Sequence, residues 1–461
     1  MPSDRITNGF SLSLSIGLIT LCLTSAWAAS EAPSSRPSSS DHTVTWEEAI
    51  RTAIERHPQI RIAEQDVAAS EAVVKQIESA TYPQVTGFFS NSGGNTRVLA
   101  NLGISGSLPK PTNYLTSPGL RADLLITDFG RTAHNILAQK SLTASAKNAV
   151  LASKALTILT VQQAYLNALK QQRLVQVAHE VLTERELIRR QTEIFHRREL
   201  RSKLDLDFAS VEADRAELTL IKAENDLQVA YAALGNAMGQ RDPARPSSVA
   251  LPIAKQPIAP IDALLQEAME KRPELLGGRD RQQAAAEAVQ AAKALRFGSV
   301  TAIGTLGYTW WGREERTNGR DVNNPGAQQG WYGLGGSGSL PLYTGGRISG
   351  QIEEAEAKQG EAGAGSQAIA NQIALQVAQA YFSRLTAEQQ ITVAQEKVAI
   401  AREALTLARE RYKTGLGSIL DVVTATTDLL SAETGLTQSQ YEFHASDAAL
   451  TYATGTTHDR Y

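Results

Sequence analysis

Two matching places in the helical part of this chain set a serine three residues ahead of an aspartate: Ser202-x-x-Asp205 and Ser418-x-x-Asp421. That spacing lets the serine hydroxyl and the acid cap the free N–H groups at the start of a helix. It also holds a carboxylate at a fixed place beside a turn. Other residues capable of chemistry are sparse. The seven histidines are scattered, and His57, His179 and His196 stand near other charged residues. There is no phosphate-binding glycine loop and no His-Glu-x-x-His. The one cysteine, Cys22, lies in an apolar leader. No catalytic residue, metal site or cofactor is expected. A formal net charge of −3 does not mark a nucleic-acid binder. Arg185, Arg189, Arg190, Arg197, Arg198, Arg201 and Lys203 form a basic run close to the Ser202 turn. Cations at a helix C-terminus are each favoured by a few tenths of a kcal/mol, roughly, so the run reads as a solvated helix end.

The elements that hold these turns come in two copies. "TAIERHPQI" (Thr52 to Ile60) returns as "EAMEKRPEL" (Glu267 to Leu275), and "DFGR" (Asp128 to Arg131) as "TGGR" (Thr344 to Arg347). Ala164-Tyr165 returns as Ala380-Tyr381. Ser202, Asp205 and Gly239 return as Ser418, Asp421 and Gly455. A constant offset of about 215–216 residues is the signature of a duplicated unit. We divide the chain into a leader at 1–28, a first repeat at 29–239, a proline-rich linker at 240–260, a second repeat at 261–455 and a short tail at 456–461. The leader has Arg5, an apolar stretch from Phe10 to Leu23, and a small-x-small site at Ala26-Trp27-Ala28, the pattern of a secretory signal peptide. A lipoprotein reading of Cys22 would need a small residue before it, where Leu21 stands. Past the leader no run is long and apolar enough for a membrane helix.

Each repeat opens with a short helix. In the first copy Thr45-x-x-Glu48 predicts a capping box, and in the second Asp262 opens the helix. The helix breaks at His57-Pro58 or Arg272-Pro273, and the proline starts the next one. Two strand-like segments follow. In the second copy they are "SVTAIGTLGYTWWG" and "GWYGLGGSGSLPLY", flanking a polar loop from Arg313 to Gln329. Tyr332, Leu334, Gly336, Gly338, Leu340 and Leu342 would share one face. In the first copy Leu120, Ala122, Leu124 and Ile126 would share a face, with Arg121, Asp123 and Thr127 opposite. A period of two with one apolar side suits a strand between lipid and water. Tyr308, Trp310, Trp311, Trp331, Tyr332 and Tyr343 cluster here as candidate membrane-interface aromatics.

Then come two proline-free stretches, Arg131 to Arg198 and Arg347 to Thr414, each about 100 Å long as a helix. In the second, Ala387, Ile391, Ala394, Val398, Ala401, Leu405, Ala408 and Tyr412 step by four and three, a coiled-coil seam. A second stripe, Val393, Ile400 and Leu407, calls for a second neighbour. Turns near Leu200 and Leu416 lead to return helices ending at Gly239 and Gly455. Four strands cannot close a membrane barrel, so the chain must oligomerise. Two copies would give eight strands, three twelve and four sixteen, and the arithmetic does not choose.

The duplicated plan, "AIERHPQI", "LLITDFGR" and above all "RYKTGLGSILDVVTATTDLL" (Arg411 to Leu430) resemble the TolC-like outer-membrane efflux family over nearly the whole chain beyond the leader. The resemblance implies a mainly α fold with a transmembrane β-barrel. A homotrimer would make a 12-stranded barrel and an α-helical periplasmic tunnel, in the outer membrane of a Gram-negative bacterium. It implies a periplasmic adaptor and an inner-membrane pump as partners, outer-membrane lipid around the barrel, and no chemistry of the duct's own. Leu200, Arg201, Ser202, Gly415, Leu416, Gly417 and Ser418 become candidate adaptor-contact tips. Asp421 matches a position that rings the mouth with carboxylates in relatives. The second acid they often carry one turn later is Thr424 here. Tyr412 matches a residue that helps hold the mouth closed. The rival readings are a periplasm-spanning structural coiled coil and a diffusion porin without a pump.

Overall fold

The computed structural model describes residues 43–94, 112–247, 257–317, 320–324 and 328–459. The signal segment and part of the linker lie outside the described residues. Within them, Thr43 onwards forms one compact unit.

Helix α1 (Trp46–Arg56) starts where the Thr45 hydroxyl accepts the Glu48 N–H at 3.3 Å. It ends at His57, whose extended backbone (φ −66°, ψ 126°) is what the following proline demands. Pro58 opens α2 (Pro58–Glu78). The second repeat copies this step. α5 (Ile261–Lys271) ends at Arg272, with φ −66° and ψ 118°, and Pro273 opens α6 (Pro273–Ala294). The long helices are α3 (Arg131–Arg197) and α7 (Arg347–Lys413), 67 residues each. The return helices are α4 (Lys203–Ala237) and α8 (Ile419–Ala453), 35 residues each. Each return helix stops at a glycine in the left-handed region, Gly239 (φ 74°) or Gly455 (φ 78°). A Cβ on Gly239 would stand 2.9 Å from the His57 Cα, and one on Gly455 3.2 Å from the Arg272 nitrogen. The same close approach therefore joins the short and return helices in both copies.

A two-residue parallel ribbon, β1 (Thr43–Val44) with β4 (Arg245–Pro246), ties the start of the first repeat to the linker. The Tyr165 hydroxyl lies 3.1 Å from the carbonyls of both Val44 and Ser247, and Trp46 packs edge-on against its ring. Around them Ile50, Ile158, Val161, Leu169, Leu234 and Met238 make the largest core cluster.

The sheet is antiparallel. β2 (Gln84–Gly94) pairs β3 (Thr112–Thr127), which pairs β5 (Ser299–Thr317). The far side of β5 carries β7 (Gln328–Ser339) along most of its length and β6 (Arg320–Asn324) at its end. Two expectations change here. The polar loop expected from Arg313 is largely a hairpin, because β5 runs on to Thr317 and folds back as β6. β7 stops at Ser339 instead of reaching Tyr343, since Pro341 has no N–H to give the ladder. The register of β3 also slips between Leu125 and Thr127, so Ile126 falls at the irregularity and not in line with Leu120, Ala122 and Leu124.

Candidate functional site: a two-faced sheet and a helical mouth

The ladder register sorts the sheet into two chemically distinct faces. Rows on one face read Val85, Ala122, Gly304, Leu334 and Gly87, Leu120, Leu306, Tyr332. This face is apolar and open: Tyr332 is 92 % and Leu334 90 % exposed in the single chain. Rows on the other face read Thr86, Arg121, Thr305, Gly333 and Ser90, Ser117, Thr309, Gln329. Here Arg121 Nε meets Asp123 Oδ2 at 2.8 Å, and the Ser117 and Thr309 hydroxyls lie 2.8 Å apart. Water has the polar face, and some other solvent must cover the apolar one.

The expected interface aromatics divide between these faces. Tyr308, Trp310 and Tyr332 belong to the apolar face, with the Tyr308 and Trp310 rings 4.9 Å apart. Trp331 belongs to the polar face, where its indole N–H donates to Thr309 Oγ1 at 3.0 Å, so it leaves the lipid-facing set. Trp311 sits opposite Leu115 in the ladder, and its side chain lies outside the described residues. Tyr343 is 91 % exposed just past β7. Three further aromatics escaped the sequence reading: Tyr82 before β2, Phe129 after β3 and Phe297 before β5, all exposed. With Tyr343 they give each strand one aromatic at its junction with the helices. The Phe129 and Phe297 rings lie 5.7 Å apart. The signal was present as one aromatic within a few residues of each strand end that meets a helix.

At the far end of the helices the two turns have the same backbone. Gly415 takes φ 80°, and the Leu416 and Gly417 N–H groups both reach the Arg411 carbonyl. In the first repeat Glu199 takes φ 58°, and the Leu200 N–H reaches the Phe195 carbonyl. A non-glycine residue in this region costs about 1–2 kcal/mol. The Ser418 hydroxyl accepts the Asp421 N–H at 3.2 Å, and Asp421 Oδ2 accepts the Ser418 N–H at 2.9 Å. Ser202 accepts the Asp205 N–H at 3.2 Å. Asp421 and Thr424 are both exposed, and so are Leu200, Gly415, Leu416 and Ser418.

Tyr412 is buried at the end of the seam. Its contact is with Arg201, whose guanidinium lies 4.5 Å from the ring centre and donates to the Tyr412 carbonyl at 3.2 Å. Its hydroxyl has no hydrogen-bond partner among the described residues. The basic run is not uniformly a solvated helix end. Arg190, Arg197, Arg198 and Lys203 are exposed, but the Arg185 side chain is 4 % exposed. Arg185 donates from Nη2 to the Val423 carbonyl at 3.1 Å and to Thr427 Oγ1 at 2.9 Å, with Glu212 at 3.9 Å. Burial pulls its pKa down and Glu212 partly offsets this. Glu184 pairs with Arg409 close by. The repeats are thus tied together near the two turns by polar and charged contacts. The sequence signal is an offset of 216 residues, which puts Arg185 at the seam position that Ala401 fills in the second copy.

Among the described residues no cluster of three His, Asp or Glu is placed to hold a metal, and no helix is long and apolar enough to cross a membrane. A sheet with one uncovered apolar face, joined to helical hairpins about 100 Å long, is the architecture of an outer-membrane duct.

The pattern of the family described as "Outer membrane efflux protein" matches residues 49–240 and 264–456, one stretch in each repeat. The outer membrane efflux protein BepC of Brucella suis biovar 1 (strain 1330) is 24 % identical over 408 residues, covering 86 % of this chain and 80 % of BepC. Among solved structures, the CusC channel superposes with a TM-score of 0.75 at 21 % identity, over 89 % of this chain and 92 % of that one. The Campylobacter jejuni CmeC outer membrane channel superposes with a TM-score of 0.76 at 17 % identity, over 91 % and 90 %. The chain belongs to the outer membrane efflux protein family. It is an efflux channel of the outer membrane that extends into the periplasm. Members of the family form trimers and work with adaptor and inner-membrane pump partners.

Proposed function

We propose that three copies of this chain close into a homotrimeric exit duct, a twelve-stranded barrel in lipid continued by a twelve-helix tunnel. The observation that carries this reading is the open sheet. Its apolar face is uncovered, and β2 and β7 each leave one edge unpaired among the described residues. Unpaired backbone in lipid costs several kcal/mol per group, roughly, so the edges must find partners. β2 and β7 run antiparallel to one another across the four-strand row, so β7 of one copy can pair β2 of the next without breaking the alternation. The helices support the same closure. α4, α3, α8 and α7 pack in that order, leaving α4 and α7 as the ends of the row. Each end carries exposed apolar side chains: Phe208, Val211 and Leu218 on α4, and Val393, Ile400 and Leu407 on α7. A heterologous contact between such ends, repeated by rotation, closes a ring.

In this duct the polar sheet face lines the barrel and the duplicated turns form the periplasmic mouth. Leu200, Arg201, Ser202, Gly415, Leu416, Gly417 and Ser418 are the tips offered to the adaptor, through which an inner-membrane pump delivers substrate. Three Asp421 carboxylates narrow the mouth and favour cations there. Tyr412, held under Arg201, and Thr424 complete the gate region. The chain does no chemistry on what it carries. A diffusion porin needs no helices about 100 Å long, and a plain spacer needs no apolar sheet face. Single-particle imaging of the detergent-purified protein tests the proposal. The expected particle has three-fold symmetry, with a detergent collar around the sheet and a helical tube of about 100 Å beyond it. A monomer or a two-stranded rod would overturn it.

A further inference from the structure

The polar face of the sheet carries one feature that a plain aqueous wall does not need. Phe88 of β2 and Trp331 of β7 stand in one ladder row, separated by Gly119 of β3 and Gly307 of β5. The two side chains lean toward each other over the glycines. Their ring centres are 6.0 Å apart and their planes differ by 27°. A Cβ on Gly119 would stand 2.5 Å from the Phe88 ring, and one on Gly307 2.4 Å from the Trp331 ring. The rings therefore lie flat on bare backbone as a two-ring tile that bridges the edge strands. Neither ring belongs to a buried apolar cluster among the described residues. The neighbouring rows supply Thr86, Arg121 and Thr305 on one side and Ser117 and Thr309 on the other. The Trp331 indole is also held in plane. Its N–H bonds Thr309 Oγ1, which is in turn 2.8 Å from the Ser117 hydroxyl. One face of the tile rests on the sheet and the outer face stays partly open.

A fixed, flat aromatic surface set in a polar wall is the arrangement that binds planar π systems by stacking. We infer that the Phe88–Trp331 tile is a stacking site for planar aromatic groups of solutes inside the barrel. The inference rests on the barrel reading above, which puts three such tiles at one height around the lumen. Each would retain a flat ring transiently, with the polar surround leaving its charged or hydrated parts in water.

The test is equilibrium binding of ethidium, a planar aromatic cation, to the detergent-purified protein, followed by fluorescence anisotropy. In detergent solution both ends of the barrel face the probe, so entry does not depend on the periplasmic end alone. Trp331→Leu is expected to weaken binding about five-fold or more, the loss of one stacking surface. Phe88→Leu should weaken it as well, and it decides the matter if Trp331→Leu does not assemble. Tyr332→Leu, next along β7 but on the apolar face, should bind like the parent. Equal binding by the parent, Trp331→Leu and Phe88→Leu would overturn the inference, as would an equal loss in Tyr332→Leu. The mass of each preparation by light scattering separates the two readings. A trimer that binds without regard to the tile refutes only the site, whereas a monomer refutes the barrel and the site with it.

Discussion

Leu334→Arg puts a charge at the centre of the apolar face, and its cost follows from position. β7 has 12 residues, paired to β5 from Ser299 at the helix junction to Trp310. At about 3.3 Å per residue this is about 40 Å of strand. A barrel tilt of about 45° reduces it to about 28 Å of height, close to the roughly 25 Å apolar band of an outer-membrane barrel. Tyr343 and Phe297 mark one limit of that height, and Tyr308 and Trp310 the other. Leu334 pairs with Gly304, near the middle of the ladder. An arginine there should cost about 2–4 kcal/mol per chain, the midplane value for a lipid-facing strand. The control is Thr305→Arg, one residue along β5 and on the polar face, which should cost less than about 1 kcal/mol because it enters water. Urea unfolding from phosphatidylcholine vesicles, followed by the loss of the assembled form on gels, reads both. If the two variants lose the same stability, or if Leu334→Arg loses none, the apolar face does not meet lipid and the assignment of faces is wrong.

The turns give a paired prediction. Gly415→Ala should destabilise the second repeat's tip by about 1 kcal/mol, whereas Glu199→Gly should be neutral or stabilising, since Glu199 already bears the left-handed backbone. Local hydrogen exchange at the two turns distinguishes them. Asp421→Ala removes half of the capping box, costing about 1 kcal/mol, and in planar bilayers should raise ion conductance while lowering cation preference. Unchanged conductance and selectivity would show that the aspartate only caps its helix. His57 accepts the Gln59 N–H on Nδ1 and is partly buried, which lowers its pKa from the ordinary 6.5. A depressed folded pKa contributes stability that is full above 6.5 and is lost as pH falls from there through the lower folded value. His57→Asn keeps an N-cap and should remove this component of the pH dependence in thermal melts. Arg185→Ala should cost about 2–4 kcal/mol through its lost bonds to Val423 and Thr427. Arg185→Leu should lose less, because leucine fills the seam without a buried charge. Equal melting losses for the two would place the role of Arg185 elsewhere.

The long elements were legible because their signals repeat. Proline-free stretches and a four-and-three seam gave α3 and α7 to within a residue; of the seam, Ala387, Ile391, Val398, Ala401, Leu405 and Tyr412 are buried, while Ala394 and Ala408 are half-buried. The second stripe was legible as well, and Val393, Ile400 and Leu407 remain uncovered in the single chain. What was not legible depends on register and on pairs far apart in sequence. Trp331 and Tyr332 are adjacent, so composition treats them alike, but the pleat sends them to opposite faces. The Phe88–Trp331 tile needs four strands aligned to the residue. Arg185 looked like its solvated neighbours because burial on a helix depends on which face meets α8. Hairpin β5–β6 was hidden by polar residues that favour a loop by composition and a strand only by pairing.

The two kinds of helix joint differ in chemistry, and that has a physical consequence. Between the repeats of one chain, the joint near the turns adds polar contacts, Glu184 with Arg409, Arg185 with Thr427 and Arg201 with Tyr412, to the packing of Ile188 on the cluster of Leu405, Tyr412, Ile419 and Val422. The stripes at the ends of the row, proposed to meet a neighbouring copy, are apolar. Partly buried ion pairs are screened less by salt than exposed ones but weaken when one partner's charge is removed, whereas apolar contacts are held by area removed from water. Arg409→Gln should therefore loosen the joint inside each chain while leaving assembly intact, read by local hydrogen exchange and by light scattering. A duct built this way can change shape at its mouth along the polar joints without the copies separating along the apolar ones. Had the polarity been reversed, the same stress would dissociate the ring before it moved the tips.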